Sequence, residues 1–468
     1  MKFYKNAIIL VLIVALLAGV YVFVLKTRPE SEDNTSDLLK LTDYISSDVE
    51  SVTLENPDGT FVIVRKDDEW VLSSPSDLKY DSSVLSSIVI NAASITADRL
   101  VEENAQDIAK YGLDDPVIVR MKTKDGKETV LEVGDRTPTK SGYYIKFAGE
   151  NDVYIIGTYT GNYLVTDRNG MRSKQLFDFE LDDINTLAMN RKGQKVFRSV
   201  KEEKDDISSW KLTEPIKGSV NGNAIYPMLE ALANTTVDEF LEDKPSDLAQ
   251  YGLDEPVYEF EIGTEAAGTY KLLMGDEKEK GSTIYAKLGN SDEVFAVDIS
   301  SYNAFLDKPL KEIVSVFVYL VNIDDVKKID LTMDGKTTNM VLDIYKDSEG
   351  NSDRDKDKFY VNGMDASGKN EDGDQPFRKF YQALIGISLD EVDVDGRPEG
   401  DAEITINYTL KDGSMKVEFI SKDDNYYYVV RNSEYAGILV KKNKKSFGVM
   451  EMKEAYKTLM DFLSSQQK

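Results

Sequence analysis

Ala109-Lys110-Tyr111-Gly112-Leu113-Asp114-Asp115-Pro116 returns 140 residues later as Ala249-Gln250-Tyr251-Gly252-Leu253-Asp254-Glu255-Pro256. The echo extends beyond that octet. Trp70 and Trp210, the only tryptophans, stand 140 apart; Gly134-Asp135 and Tyr144-Ile145-Lys146 return as Gly275-Asp276 and Tyr285-Ala286-Lys287, 141 apart. Independent landmarks at one period mark a tandem duplication. A third, degenerate copy follows. Val49-Glu50-Ser51-Val52, Ile184-Asn185-Thr186-Leu187 and Val326-Lys327-Lys328-Ile329 each open a unit after an aspartate (Asp48, Asp183, Asp325), and the segments TADRL (96–100), TVDEF (236–240) and SLDEV (388–392) correspond. The third copy lacks the Tyr-Gly-Leu-Asp element and the Gly-Asp turn. Phe359-Tyr360 replaces its tryptophan, and polar insertions at residues 348–358 and 365–374 are expected to be disordered loops.

Each unit carries the same pattern. Alternating stretches at 51–54 and 60–65 flank Asn56-Pro57-Asp58-Gly59 and predict a hairpin. A third strand carries the aromatic anchor. A helix follows, its apolar face being Val84, Leu85, Ile88 and Ala92 in the first copy, Ile225, Leu229, Leu232 and Ala233 in the second, and Phe377, Phe380, Tyr381 and Leu384 in the third. The Tyr-Gly-Leu-Asp-x-Pro turn comes next, where glycine supplies a positive φ and proline starts a strand. Four strands close the unit, at 117–123, 128–133, 142–147 and 152–157 in the first copy. The expected fold is α+β: tandem units of mainly antiparallel sheet with one main helix each. The expected bounds are a cytoplasmic tip and anchor at 1–26, a linker at 27–45, and units at 46–178, 179–318 and 319–468.

The anchor rests on residues 7–25 (AIILVLIVALLAGVYVFVL), 19 residues without a charge between Lys2 and Lys5 on one side and Lys26 and Arg28 on the other. At about 1.5 Å per residue this run is about 28 Å long, enough to cross the hydrocarbon of a bilayer. Cleavage as a signal peptide is disfavoured, because Ala15 and Ala18 are wrongly spaced for an A-x-A site and the apolar run continues beyond them. The flanking basic residues tie, so charge alone does not orient the segment. A short basic N-terminus before an apolar run is how export signals begin. The tip is therefore expected in the cytoplasm and the bulk of the chain outside, a single-pass protein of the cell membrane. Residues 27–36 (TRPESEDNTS) read as a solvated spacer.

Composition excludes several chemistries. Among 468 residues there is no Cys and no His, which removes thiol nucleophiles, disulfides, Ser-His-Asp triads and zinc sites built from those ligands. Lys plus Arg number 57 against 84 Asp plus Glu, a net charge of −27, and such a balance argues against a nucleic-acid partner. The part beyond the anchor carries −29, since Lys2 and Lys5 stay on the other side. Four local resemblances lack their context. Gly363 to Asn370 follows G-x-x-x-x-G-K but ends in Asn, with Glu371, Asp372 and Asp374 directly behind it. Ser76-Asp77-Leu78-Lys79 has the S-x-x-K spacing without the S-D-N or K-T-G companions. Glu391-Val392-Asp393-Val394-Asp395-Gly396 starts like a calcium loop, but Ala402 stands where a bidentate Glu is needed. The runs Tyr143-Tyr144 and Tyr426-Tyr427-Tyr428 have the makings of a sugar-stacking face, or of half-buried sheet. With so many acids, a carboxylate pair at glycosidase separation carries no information. No residue is assigned a catalytic, cofactor-binding or metal-binding role, and the duplicated Tyr111/Asp114 and Tyr251/Asp254 are read as structural.

The Tyr-Gly-Leu-Asp-x-Pro element, the Gly-Asp turn, the Tyr-x-Lys strand and the N-terminal apolar segment resemble the family of domain of unknown function 4340, over roughly residues 48–313. The resemblance implies a membrane-anchored accessory protein associated with ABC-type exporters, with no activity and no catalytic residue to carry over. Three function classes follow: a non-enzymatic accessory or scaffold of an ABC-type transport complex, an array of cell-wall polymer binding modules, and a carboxylate-based hydrolase. The first is expected, with transport-complex subunits and the membrane as partners and no cofactor. The acidic charge opposes direct binding to anionic polymers unless divalent cations bridge them, and nothing located supports a hydrolase.

Overall fold

The alternating stretches close into sheets in which every strand pairing is antiparallel. A computed structural model describes residues 39–76, 78–202, 209–265 and 268–466. The apolar run at residues 7–25 lies outside the described residues, and no helix among the described residues is long and apolar enough to cross a membrane. The first sheet holds β1 (Leu39–Lys40), β2 (Val49–Asn56), β3 (Gly59–Lys66), β4 (Glu69–Ser74), β5 (Thr96–Glu102), β6 (Val117–Thr123), β7 (Glu128–Arg136), β8 (Gly142–Phe147) and β9 (Val153–Gly157). The second holds β10 (Ile184–Arg191), β11 (Gln194–Lys201), β12 (Trp210–Glu214), β13 (Gly218–Ser219), β14 (Val237–Glu242), β15 (Tyr258–Thr264), β16 (Gly268–Glu279), β17 (Thr283–Leu288) and β18 (Val294–Asp298). The third holds β19 (Val326–Met333), β20 (Lys336–Asp343), β21 (Lys358–Val361), β22 (Met364–Asp365), β23 (Glu391–Val392), β24 (Ala402–Leu410), β25 (Ser414–Ser421), β26 (Tyr426–Arg431) and β27 (Glu434–Lys441).

These three nine-stranded sheets share one path. The orders β5-β9-β8-β7-β6-β2-β3-β4, β14-β18-β17-β16-β15-β10-β11-β12 and β23-β27-β26-β25-β24-β19-β20-β21 are the same eight-strand walk, and only the ninth strand differs. In the first sheet the ninth is β1, whose Leu39 pairs with Ala97, so part of the segment read as linker joins the sheet. In the other two it is a short strand, β13 or β22, at the opposite edge. The corresponding segments TADRL, TVDEF and SLDEV contribute the strands β5, β14 and β23. Their burial is partial: β14 and β23 are edge strands paired only with β18 and β27, and β5 lies next to the edge, between the short β1 and β9.

One helix covers each sheet: α1 (Ser82–Ala93), α2 (Gly222–Ala233) and α3 (Pro376–Ile385). Asp81 caps α1 by accepting the backbone N–H groups of Ser83 and Val84, and Asn221 caps α2 through Asn223. Pro376 sits in the first turn of α3, where a missing N–H costs nothing. The buried faces are Leu85, Ile88 and Ala92 in α1, Ile225, Leu229 and Leu232 in α2, and Phe377, Phe380 and Leu384 in α3. The expectation of one main helix per unit needs correcting for the third copy. A second helix, α4 (Val449–Ser465), buries Val449, Met452, Leu459 and Leu463, and its Tyr456 hydroxyl lies 2.6 Å from the Thr338 hydroxyl on β20.

The aromatic anchors hold equivalent places. Trp70 and Leu72 on β4, Trp210 and Leu212 on β12, and Phe359 and Val361 on β21 are the buried, inward-facing pairs of the last strand of each walk. Trp70 is opposite Arg65, Trp210 opposite Lys201 and Phe359 opposite Leu342. Trp70 is 8% exposed and Trp210 2%. In the third copy the Phe359 ring stacks on Phe377 of α3 at 4.3 Å, so two phenyl rings fill the space of one indole.

The chain divides into two compact units at Lys174 and Gln175, the first holding the first sheet and the second the other two. Within the second unit, one continuous apolar core runs from Phe177 to Leu463 through both sheets. Arg431 ties the sheets together by donating to the carbonyls of Val318 (3.2 Å) and Lys217 (2.5 Å). Gly437 lies so close to Ile216 that a Cβ would stand 2.1 Å from its Cγ2.

Candidate functional site

The duplicated octets build a buckle. Ala109–Tyr111 and Ala249–Tyr251 each form a single 3-10 turn, closed by Gly112 and Gly252 in the left-handed region at φ +68° and +65°. A Cβ on Gly112 would stand 2.4 Å from Cγ of Asp135, and one on Gly252 2.7 Å from Cγ of Asp276. The neighbouring Gly134 and Gly275 pass so close to the turn that a Cβ would meet the carbonyl oxygens of Tyr111 and Tyr251 at 2.3 and 2.1 Å. The Gly-Asp and Tyr-Gly motifs are therefore two halves of one contact, and both need glycine because backbone presses on backbone.

The tyrosines point to a carboxylate that sequence reasoning missed. Tyr111 donates its hydroxyl to Glu102 at 2.6 Å and Tyr251 to Glu242 at 2.9 Å, each glutamate nine residues upstream. That equal spacing was the available signal. The Tyr111 ring lies 4.7 Å from Tyr144, and Tyr251 lies 5.0 Å from Tyr285, which explains the duplicated Tyr-x-Lys strand. Lys110 adds an ion pair with Glu102 at 2.6 Å and hangs 4.9 Å over the Tyr111 ring; Gln250 replaces it in the second copy. Hydrogen bonds from Lys110 and then Tyr111 hold the Glu102 carboxyl below its ordinary range. The bond to Glu102 pushes Tyr111 up, and the bond to Glu242 does the same to Tyr251. Each shift moves a titration further from neutral pH, the glutamate downward and the tyrosines upward, whereas a general acid or base works near it. The buckle clamps; it is not set to exchange protons.

The weighed resemblances end in protein contacts. Asn362 and Gly363 form the turn between β21 and β22, and no helix opens behind it until Pro376. Ser76 precedes α1 by a turn rather than opening it, and Asp77 lies outside the described residues. Glu391 pairs with Lys311 at 3.2 Å and Asp393 with Lys422 at 2.6 Å. Tyr143 donates to Asn162 at 2.8 Å, Tyr427 is buried with its hydroxyl on Glu403 at 2.7 Å, and Tyr428 meets Tyr435 edge-on. The two insertions expected to be disordered are folded. Lys346 and Ser352 form a bridge around an Asp347 turn, and Asn370 accepts the backbone N–H of Asp374.

The best candidate for a functional surface lies where the second and third sheets meet. Phe317 bridges Ser388, Leu389 donates to the Val316 carbonyl at 2.8 Å, and Ser388 donates through both its N–H and its hydroxyl to the Phe447 carbonyl. Three chain segments are thus laid side by side, and their apolar side chains face water: Val316 is 53% exposed, Leu320 64% and Phe447 58%. Phe447 sits at φ +49°, a region that costs a bulky residue about 1–2 kcal/mol. Beside it lies a cleft of about 360 Å³ bordered by Ala224, Lys308, Lys311, Val316 and Leu389. Its lysines are balanced, Lys308 by Glu312 at 3.4 Å and Lys311 by Glu391, so the rim is mixed in charge and apolar.

A family model described as Domain of unknown function (DUF4340) matches residues 70–208 and 210–384, most of the chain. No curated protein and no solved structure matches it.

Proposed function

We propose that this chain, which belongs to the DUF4340 family, acts by contact, as a non-enzymatic extracytoplasmic accessory or scaffold protein of an ABC-type transport complex. Residues 7–25 hold it in the membrane and the three sheets stand outside. The observation that supports the reading is the exposure of Val316 and Phe447 on adjoining segments, which meet through the Phe317–Phe447 ring contact and the Leu389–Val316 hydrogen bond; contiguous apolar surface of this kind is where partners dock. The strained backbone at Phe447 points the same way, because strain persists where the presented side chain has a use. The duplicated tyrosine buckles supply rigidity for such a platform.

The test is co-purification. Full-length protein extracted from membranes in mild detergent should bring transport-complex subunits with it, and Val316→Ser with Phe447→Asn should abolish that recovery. Asn tolerates the left-handed region better than Phe, so the melting temperature should hold or rise. Retained assembly, with function lost instead on changing one carboxylate in a cavity, would favour a hydrolase.

A further inference from the structure

The first copy differs from the other two at two surface positions. Ile45, Glu180 and Asn322 each stand directly before the 3-10 turn that opens a copy, and Ile90, Glu230 and Gln382 hold the same place on α1, α2 and α3. The second and third copies turn a polar side chain to water at both places. The first turns an isoleucine: Ile45 is 70% exposed and Ile90 55%. The two sit at one end of α1. The Tyr44 N–H donates to the Ala93 carbonyl at 2.9 Å, and the Thr42 hydroxyl donates to the Ala92 carbonyl at 2.9 Å while accepting the Ile95 N–H at 2.8 Å. These bonds strap residues 42–45 to the helix one turn beyond Ile90.

The helices on this side of the first sheet carry no charge. Residues 82–97, which hold α1, and residues 153–166, which hold the short helix Thr158–Leu164 packed beside it, contain no Asp, Glu, Lys or Arg in a chain that is 30% charged. Ser86 and Ser87 turn their hydroxyls back to the carbonyls of Ser82 and Ser83 at 2.8 and 2.9 Å, so they present no donor that needs water. The short helix adds Tyr159, 71% exposed. Charges stand at the borders: Asp43 pairs with Lys40 at 2.8 Å, Asp81 and Asp167 cap helices, Lys127 lies over the Tyr44 ring, and Asp48 and Asp98 face outward.

We propose that this face rests on the phospholipid bilayer, with Ile45 and Ile90 entering the boundary between headgroups and acyl chains. The inference rests on the reading of residues 7–25 as a membrane anchor. Thirteen residues separate Leu25 from Leu39, a reach of at most about 45 Å. The domain that Leu39 begins therefore stays within that distance of the bilayer, and so short a tether makes even a weak surface contact effective. A chain of −27 is repelled by anionic headgroups, and a face built on uncharged helices is the one it brings to them at least cost. Exposed apolar side chains set in such a face are the mark of a membrane contact.

The chain has no Cys, so a single introduced thiol can report. Full-length protein with Ser94→Cys, which puts a fluorophore one turn beyond Ile90, is reconstituted in phosphatidylcholine–phosphatidylglycerol nanodiscs with and without nitroxide-bearing acyl chains. Lys122→Cys is the control, on the opposite face of the first sheet from buried Met121. The Ser94 label should lose about half or more of its fluorescence to the nitroxide, since interfacial contacts sit about 5–10 Å into the headgroup and acyl boundary. The Lys122 label should lose little. Ile45→Glu with Ile90→Glu borrows the acids of the second copy at both places and should bring the Ser94 label to the Lys122 level; should that variant fail to fold, the two labels still decide. Protein that does not stay with the discs sinks the anchor, and this inference with it. Protein that stays overturns the inference alone if the Ser94 label is unquenched, quenched no more than the Lys122 label, quenched equally in the double variant, or shielded instead by a second copy.

Discussion

The first two sheets and the third walk the same eight-strand path but are locked differently. In the first two, the glycine of a 3-10 turn presses against a Gly-Asp strand, and a tyrosine reaches a glutamate nine residues upstream. In the third that clamp is missing. Its core is instead closed by the Phe359–Phe377 stack, by α4, and by a core shared with the second sheet. The strand walk therefore does not depend on the buckle. What a copy needs is a filled space between the strand that carries the aromatic anchor and the helix.

The largest effect should come from emptying that space. Trp210→Ala and Phe359→Ala should each cost about 3–5 kcal/mol, as full truncation of buried aromatics does. Trp70→Ala should fall at the low end, since Trp70 keeps some exposure. Denaturant unfolding measures all three. A loss below about 1 kcal/mol at Phe359 would mean that it is not the stand-in for tryptophan, and the equivalence of the third copy would fail.

Much of this was legible because duplication prints a fold twice. The period of 140, the hairpin around Pro57 and Asp58, and the helix faces of Ile88 and Ile225 all follow from local pattern. The strands β5, β14 and β23 were harder, because TADRL and TVDEF are charged and barely alternate; their pairing is imposed by β9 and β18. The polar insertions looked disordered because composition registers missing apolar residues, whereas Asp347 and Asn370 order them with backbone hydrogen bonds that composition does not show. The exposed group at Val316 and Phe447 joins residues distant in sequence, and no local period brings them together.

The glycines come next in size. Gly134→Ala and Gly275→Ala should each cost about 1–3 kcal/mol, because the added methyl meets a carbonyl oxygen with no room to retreat. Gly157→Ala is the control in the first copy: like Gly134 and Gly275 it lies outside the left-handed region, at φ −62°, but nothing stands within 4 Å of its Cβ, so no close contact is made. If all three cost the same, close packing is not what the Gly-Asp motif is for.

The smallest effect separates the two buckles. Tyr111→Phe and Tyr251→Phe each remove one hydroxyl from a largely solvated carboxylate, and the melting temperature should fall by at most about 3 °C at neutral pH. The two should then diverge in acid. Glu102 is held below its ordinary range first by Lys110 and then by Tyr111. A carboxyl whose folded pKa is depressed stabilises the fold above its unfolded value, and that contribution disappears as pH falls through the folded value. The wild type's advantage over Tyr111→Phe should therefore be full at neutral pH and vanish as Glu102 takes up its proton. With the hydroxyl gone, Lys110 still holds Glu102, so Tyr111→Phe should remain acid-sensitive, and only Lys110→Gln together with Tyr111→Phe should remove the dependence. Melting curves of the three proteins from neutral pH down to about pH 3 decide the matter. An acid sensitivity of the single variant no greater than that of the double would show that Lys110 adds nothing, and that the first buckle works just as the second does with Gln250 in its place.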